Sequence, residues 1–282
     1  MASVDPMASV DPMATVDMAT VDMLTVDDPA DPRLDLFRRN DRGLAGRADR
    51  RDDAGSGHFL AEGDLVVERA LDAGCTAVAA LVDPDRVPDV AHRLDAVVYT
   101  AGPEVRRAVT GLGMLHPVVA VFERPARRSA ADLVAGCDRL VVLEGVDNPA
   151  NVGAIVRNAA ALGWDGLLLD HTSSDPLARR ALRVAMGTAF TLPHARTSDL
   201  AGALTDASDM DLIALTPAAD ATDLAELRIA ERRALLIGSE RAGLSAELLT
   251  IATHCARIPM AGGVDSLNAA AASAIACYAL RR

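Results

Sequence analysis

Short apolar runs that alternate with helical patterns are the feature of this 282-residue chain that most limits its fold. In the second half of the chain each run is four or five residues long, and helical segments separate the runs. They lie at residues 140–143, 166–169, 211–215, 234–237 and 257–260. Because strands joined through helices run parallel, this pattern predicts a parallel sheet with helices on both faces.

A smaller α/β pattern precedes this region. Apolar runs at 77–81, 96–99 and 118–122 follow an amphipathic stretch at 64–73, and helical segments separate them. Aromatic residues make up only 2% of the chain, so both cores must be built from Ala, Val and Leu. We therefore expect two domains, at residues 33–123 and 133–282. A polar, arginine-rich and proline-interrupted linker at 124–132 joins them.

The first 28 residues form a degenerate repeat of the type MASVDP and MATVD. Seven aspartates and no basic residue lie within residues 1–31. A repeat this short, containing Pro and Asp, is typical of low-complexity sequence, so residues 1–32 are predicted to be a disordered acidic tail. No basic-then-apolar leader and no run of about 20 apolar residues is present, which favours a cytoplasmic protein with no membrane partner.

Composition excludes several chemistries. All 28 basic residues are arginine, so a phosphate-binding loop that ends in Gly-Lys-Ser/Thr and a Schiff-base lysine are impossible. The four cysteines form no C-x-x-C pair, and the six histidines are scattered. This spacing predicts no metal site. The net charge of −12 is concentrated in the tail and decides little about a nucleic-acid partner.

Three loops at predicted strand ends carry the candidate chemistry. They span residues 144–158, 237–244 and 258–268, and each contains glycine. In an open parallel sheet, ligands bind beyond the carboxyl ends of the strands, so these loops would meet there. Each loop alone has a simpler interpretation as a glycine turn, a helix cap or a solvated charge. The three together, in this order, favour a binding site.

The three loops resemble those of the SpoU-type (TrmH-like) RNA ribose methyltransferases of the SPOUT superfamily. The matching motifs are N-x-G-x-x-x-R, G-x-E-x-x-G and I-P-M-x-G-x-x-x-S-L-N, and the resemblance runs from about Leu140 to the C-terminus. It implies a trefoil-knotted parallel-sheet catalytic domain that forms a homodimer and binds S-adenosylmethionine (AdoMet). More loosely, the region around Phe59 is similar to the smaller RNA-binding α/β extension of that family.

The resemblance also assigns residues to the cofactor. The predicted AdoMet contacts are Leu215, Thr216, Pro217, Ile237, Gly238, Glu240, Ile258, Met260 and Leu267. Backbone N–H and C=O groups can bind adenine, and glycines let the chain approach it closely. No aspartate is placed to bind the ribose as in a dinucleotide site.

The predicted reaction is attack of an RNA 2′-hydroxyl on the sulfonium methyl group. The family assigns the proton transfer to Arg157. A guanidinium group is not expected to lose its proton, so an equally physical role is to bind the target phosphate and orient the hydroxyl. Asn151, Ser266 and Asn268 are expected to hydrogen-bond ribose and phosphate, and Glu240 is expected to hold an arginine, Arg157 being the candidate.

The predicted partner is RNA, with ribosomal RNA favoured over transfer RNA. A phosphate-binding track is predicted at Arg127, Arg128, Arg179, Arg180 and Arg183, and a solvated helix face is the alternative explanation. A non-catalytic RNA-binding or ribosome-assembly protein with the same fold is a rival function, as is methylation of a base. The intact motif side chains argue against the first rival, and the S-L-N triplet argues against the second.

Overall fold

The computed structural model describes residues 22–45, 57–111 and 116–281, which form two β-sheets with helices packed against them. The N-terminal sheet has the order β1-β4-β3-β5-β2. Its strands are β1 (Met23–Thr25), β2 (His58–Glu62), β3 (Ala77–Val82), β4 (Val97–Thr100) and β5 (Val118–Glu123). Strands β1, β3 and β4 run parallel, and β5 is antiparallel to its neighbours β3 and β2. This sheet is therefore mixed.

In the described part of the N-terminal region four α-helices pack against the sheet. They are α1 (Asp35–Arg38), α2 (Asp41–Leu44), α3 (Asp64–Asp72) and α4 (Pro103–Thr110). The rings of Phe59 and Phe122 stack at 5.4 Å in the core, beside alanine and valine side chains. Both rings are fully buried and form part of the core.

The C-terminal sheet has seven strands in the order β10-β12-β9-β11-β6-β7-β8, and every pairing in it is parallel. The strands are β6 (Arg139–Glu144), β7 (Gly166–Leu169), β8 (His194–Arg196), β9 (Asp211–Leu215), β10 (Thr222–Asp223), β11 (Arg233–Gly238) and β12 (His254–Arg257). This confirms the predicted mixed α/β class with a parallel sheet.

Six α-helices lie within residues 116–281 of the described chain. They are α5 (Ala130–Ala135), α6 (Pro149–Ala161), α7 (Arg179–Ala185), α8 (Leu200–Thr205), α9 (Ala246–Ile251) and α10 (Ala269–Ala279). Helix α6 begins at Pro149, and the side chain of Asn148 caps it by accepting a hydrogen bond from the Ala150 N–H. A Cβ on Gly153 would lie 2.4 Å from the carbonyl oxygen of Ala181, so glycine is what lets α6 pack directly on α7.

The structure corrects the sequence expectations at four places. The predicted tail ends too late, because Met23–Thr25 pairs with β4 and Val26 is buried; residues 1–21 lie outside the described residues. Strands β2 and β8 were not predicted, and β12 lies three residues before the predicted run. The predicted linker already contains the start of α5 and the buried side chain of Arg124.

Two carboxylates join the two regions, one of them buried and the other partly buried. Glu62 at the end of β2 accepts hydrogen bonds from Arg179 (2.6 Å) and Arg183 (2.9 Å) of α7, although its side chain is only 1% exposed. Asp175 lies 2.7 Å from Arg124 and 3.8 Å from Arg127, both at the start of the predicted linker region. The seam between the regions is therefore an ion-pair network and not a solvated connection.

Among the helices of the described residues, none has the length and apolar character that crossing a membrane requires. In the same residues, no group of three or more His, Cys, Asp and Glu side chains is arranged to hold a metal ion.

Candidate functional site

A cavity of about 470 Å³ lies at the carboxyl edge of the C-terminal sheet. Strands β12, β9, β11 and β6 are consecutive and parallel there, so the loops that follow them meet at one edge. The cavity is lined by the segment after β9, by the whole loop at 237–244, and by parts of the loop at 258–268. A volume of this size is within the usual range for small-molecule sites.

The loop after β11 folds into a tight turn because of its glycines. Gly243 has φ +68°, and its N–H donates to the carbonyl of Ser239 at 2.9 Å. A Cβ on Gly238 would lie 2.2 Å from the carbonyl carbon of Gly243, which is a backbone atom that cannot move aside. The two glycines therefore close the turn, and Glu240 and Arg241 lie at its tip, exposed and against the cavity.

A chain of side-chain hydrogen bonds connects the three loops. The Asn268 Nδ2 donates to Asn151 Oδ1 at 3.0 Å, and the Asn151 Nδ2 donates in turn to Glu240 Oε1. Asn268 also caps α10, since its Oδ1 accepts from the Ala270 N–H at 3.0 Å. Asn151 is buried, at 7% exposure, so this chain fixes the relative positions of all three loops.

Two further carboxylates hold the loop after β6. Glu144 Oε2 accepts from the Ser245 N–H at 2.7 Å, and Asp170 Oδ1 accepts from the Gly145 N–H at 3.1 Å. Burial disfavours the charge of Asp170, yet hydrogen bonds from Ser173 and Thr172 hold its pKa below its ordinary value. The loop is therefore fixed by an ionised carboxylate, a role that sequence reasoning missed.

All nine residues assigned to the cofactor from the sequence line this one cavity. Sequence reasoning missed other lining residues, among them Leu244, Leu249, Asp265 and Ala272. For two of them the sequence offered a weak signal: Leu244 directly follows the G-x-E-x-x-G motif, and Asp265 lies within the third loop. Leu249 and Ala272 lie on helices α9 and α10, where the spacing of apolar residues reveals core packing and gives no sign of a cavity.

The predicted catalytic residues divide into two groups. Asn151, Glu240, Ser266 and Asn268 lie at the cavity or in the hydrogen-bond chain beside it. Arg157 lies outside the cavity. It is exposed on α6, six residues after Asn151, which corresponds to about 9 Å along the helix axis. Within this chain Glu240 accepts a hydrogen bond from Asn151, and the expectation that it holds Arg157 stays a prediction.

The residue that follows the first motif anchors helix α10. Asn158, the residue after Arg157, donates from Nδ2 to the carbonyl of Ala270 at 3.0 Å and to Ser273 Oγ at 3.2 Å. Its role is to attach α6 to α10. The exposed side of α10 carries Ile275 and Tyr278, at 43% and 56% exposure.

The predicted phosphate track is wrong for two of its five arginines. Arg179 is bound by Glu62, and Arg127 is buried against Asp175. Arg183 also contacts Glu62 but keeps 43% of its side chain exposed. Arg128 and Arg180 are exposed, as a phosphate-binding role requires. Sequence could not separate these cases, because the two carboxylates come from other elements of the fold.

Comparison with known proteins agrees with this geometry. The family described as the SpoU rRNA Methylase family matches residues 138–278. An uncharacterized tRNA/rRNA methyltransferase of Mycobacterium tuberculosis is 40% identical over 268 residues, covering 92% of this chain and 91% of its own. The match to this Mycobacterium relative extends beyond the C-terminal sheet into the N-terminal region.

Two other relatives carry more specific descriptions. The 23S rRNA (guanosine(2553)-2′-O)-methyltransferase RlmP of Bacillus subtilis is 28% identical over 227 residues, covering 79% of this chain and 88% of its own. The crystal structure of an AdoMet-bound rRNA methyltransferase from Sinorhizobium meliloti superposes with a TM-score of 0.77 at 28% identity. That superposition covers 92% of this chain and 97% of the other.

Proposed function

This chain belongs to the SpoU rRNA methylase family, and from that premise we propose that it transfers a methyl group from AdoMet to a ribose 2′-hydroxyl of RNA. The observation that carries the proposal is the hydrogen-bond chain Asn268–Asn151–Glu240, which ties three motif loops around one cavity. A simple scaffold would not need this set of polar side chains at the mouth of a cavity.

The cavity fits AdoMet in its chemistry. An apolar lining for an adenine ring comes from Leu215, Ile237, Ile258 and Leu267. Gly238 has no side chain, so its backbone is accessible from the cavity. Backbone N–H and C=O groups of these loops can bind the edge of adenine without a specialised side chain. When bound, AdoMet supplies an electrophilic methyl group on a sulfonium ion.

The protein's part in the reaction is positioning. Asn151 and Asn268 are fixed by their mutual hydrogen bond and can present amide groups to the ribose of the target nucleotide. Arg157 binds the phosphate of that nucleotide as a fork of donors, which orients the 2′-hydroxyl. The hydroxyl proton leaves to a phosphate oxygen or to water as the oxygen attacks.

The substrate we propose is ribosomal RNA. Support comes from the family description and from the RlmP and Sinorhizobium relatives, whose names specify rRNA. The Mycobacterium relative is named for both tRNA and rRNA, so transfer RNA is the alternative substrate.

We extend the proposal to a homodimer that forms through the C-terminal region. The exposed apolar residues Ile275 and Tyr278 of α10 would bury their surface against a second copy. Arg157 lies exposed on the neighbouring helix α6, where a second copy would enclose it. Family membership supports the trefoil knot at the three loops, an RNA-binding role for the N-terminal region, and a cytoplasmic location.

The direct test combines calorimetry with AdoMet and methyl transfer onto unmodified ribosomal RNA transcripts. We expect AdoMet to bind and digested RNA to contain a 2′-O-methylnucleoside by mass spectrometry. Gly238→Ala should weaken AdoMet binding at least about tenfold, or about 1.4 kcal/mol, because its Cβ would force the turn open. The matched control is Gly102→Ala, where a Cβ meets open space at ordinary φ.

Three outcomes would contradict the proposal. A folded chain that gives no heat with AdoMet would remove the cofactor assignment. A methyl group found on a base would replace ribose methylation with base methylation. Tight RNA binding without any methyl transfer would support the non-catalytic assembly role.

A further inference from the structure

A second cavity, of about 440 Å³, lies at the seam between the two regions. One wall is α2 of the N-terminal region, with Asp41 and Arg42. The opposite wall is formed by the loops that follow β6 and β7, including Asp147, Thr172 and Asp175. None of the sequence motifs pointed to this cavity, and the reaction proposed above does not use it.

The two cavities are neighbours across a single turn of backbone. A Cβ on Gly145 would lie 3.4 Å from Ser239 Cβ on one side and 3.8 Å from Thr172 Oγ1 on the other. Ser239 lines the cavity assigned to AdoMet, and Thr172 lines the seam cavity. Pro149, at the start of α6, also lines the seam cavity, two residues before Asn151. A chain bound across the target site would therefore pass directly by the seam cavity.

Most polar groups inside the seam cavity already have partners. Ser173 Oγ accepts from the Val146 N–H at 3.0 Å, and Thr172 donates to Asp170. The Asp175 carboxylate is bound by arginines. Arg42 and Asp147 differ: within the described residues both side chains are exposed and neither makes a hydrogen bond or an ion pair. The open face of the cavity thus offers one strong donor and one strong acceptor.

The charge of the lining indicates which RNA group, a phosphate or a nucleobase, can enter the seam cavity. The Asp175 carboxylate is already bound by Arg124 and Arg127, which leaves the carboxylates of Asp41 and Asp147 beside the guanidinium groups of Arg42 and Arg196. A phosphate would meet no excess of positive charge, and so it is disfavoured. A nucleobase is neutral and carries donors and acceptors on one edge, which suits a guanidinium opposite a carboxylate. Proteins that recognise RNA commonly receive unstacked bases in this way.

We propose that the seam cavity binds one unstacked base of the RNA substrate, next to the nucleotide whose ribose is methylated. This inference rests on the proposed function, because it takes the adjoining cavity as the site of methyl transfer. Both regions contribute to the base site, with Arg42 from the first and Asp147 from the second. Substrate selection therefore depends on how the two regions are held together at the seam.

Photocrosslinking locates the base directly. The probe is transcribed ribosomal RNA in which uridine or guanosine is partly replaced by its thio analogue. After irradiation and trypsin digestion, we expect mass spectrometry to place RNA on the lining residues 147–149 of peptide 140–157 or on the lining residues 171–178 of peptide 158–179. Crosslinks confined to residues outside these two stretches, such as the loop 237–244 of the adjoining cavity, would overturn the base site.

Kinetics with two variants give an independent measurement. Arg42→Ala and Asp147→Ala should each raise the KM for RNA about tenfold, and leave kcat and AdoMet affinity within about twofold. Matched controls are Arg39→Ala and Asp206→Ala, which remove exposed charges that do not line the cavity and should leave KM unchanged. An unchanged KM in both test variants would overturn the proposal.

These measurements also separate this inference from the proposed function. RNA crosslinked to peptide 158–179 by a protein that transfers no methyl group would retain the base site and reject the methyltransferase. Methyl transfer with normal KM in Arg42→Ala and Asp147→Ala would retain the methyltransferase and reject the base site.

Discussion

The two sheets of this protein differ in the direction of one strand. The N-terminal sheet is mixed, because β5 runs antiparallel to its neighbours β3 and β2, so the chain leaves β5 at the edge opposite to the carboxyl ends of the other four strands. In the C-terminal sheet all strands are parallel, and the loops after β6, β9, β11 and β12 emerge together. The family match follows the same division, since it covers residues 138–278.

This comparison shows that the motif side chains are assembled where the loops of neighbouring parallel strands meet in the C-terminal sheet. In the C-terminal region, side chains more than 100 residues apart, such as Asn151 and Asn268, hydrogen-bond each other at the shared edge. The N-terminal region instead contributes Glu62, which ends a strand and is buried against α7 of the other region. We propose that the first region docks and selects the RNA and that the second carries out the reaction.

The largest effect is expected at Arg157. Arg157→Ala should lower kcat about 10³-fold, because the substrate phosphate and hydroxyl lose their orienting donors. AdoMet affinity should stay within about twofold, since the side chain lies outside the cofactor cavity. Single-turnover methylation of ribosomal RNA and calorimetry measure the two quantities.

The control for this variant is Arg107→Ala, which removes an exposed helical arginine from the N-terminal region. It should leave kcat unchanged. Weaker AdoMet binding with a normal rate at saturating AdoMet in Arg157→Ala would place this arginine in the cofactor site and contradict our assignment.

The second effect concerns the seam. Glu62→Ala removes a buried carboxylate from Arg179 and Arg183, so the free energy of unfolding in urea should fall by about 3 kcal/mol. Glu68→Ala serves as the comparison, because its partner Arg93 lies 3.5 Å away at the surface of the same region. That variant should cost less than about 1 kcal/mol. Equal losses in the two variants would mean that the seam does not depend on Glu62.

A smaller effect depends on pH. Burial, followed by the charge of Arg127, lowers the pKa of His194 on β8 to about 4. The unfolded chain takes up a proton near pH 6.5, so stability should fall by about 2 kcal/mol between pH 7 and pH 4.5. His194→Gln should flatten this part of the urea-unfolding profile. An unchanged slope in the variant would show that another group carries the acid sensitivity.

Acid should destabilise the seam further at lower pH. Burial opposes the charge of Asp175, but Arg124 and Arg127 outweigh it and hold its pKa well below the ordinary value. The stability that this carboxylate contributes is present above the unfolded pKa near 4 and is lost as the pH falls below it. The window from pH 7 to pH 4.5 therefore reports on His194 with little contribution from Asp175.

The position of the cavity could be predicted from the sequence because each of its loops is shaped by residues that are close together in the chain. Each loop follows its own strand, and glycines such as Gly238 and Gly243 shape their turn through neighbours a few residues away. Once the strands are parallel, the loops must meet. The positions of the predicted cofactor residues follow from these two facts, and their roles stay predictions.

Side chains whose partners are distant in sequence could not be predicted. Whether Arg179 binds RNA or a carboxylate depends on Glu62, which is 117 residues away. The edge strand Met23–Thr25 depends in the same way on its pairing with β4, which its repeat-like sequence does not reveal. The hydrogen bond between Asn151 and Glu240 likewise joins residues 89 positions apart in the sequence.

Hydrogen–deuterium exchange with and without AdoMet tests the central idea most directly, because it reports on all three loops of the folded protein in one experiment. The account predicts that amides at 215–217, 237–244 and 258–267 gain protection together, while β2 and β3 of the N-terminal sheet do not change. Protection confined to a single loop, or found in the N-terminal sheet instead, would contradict it.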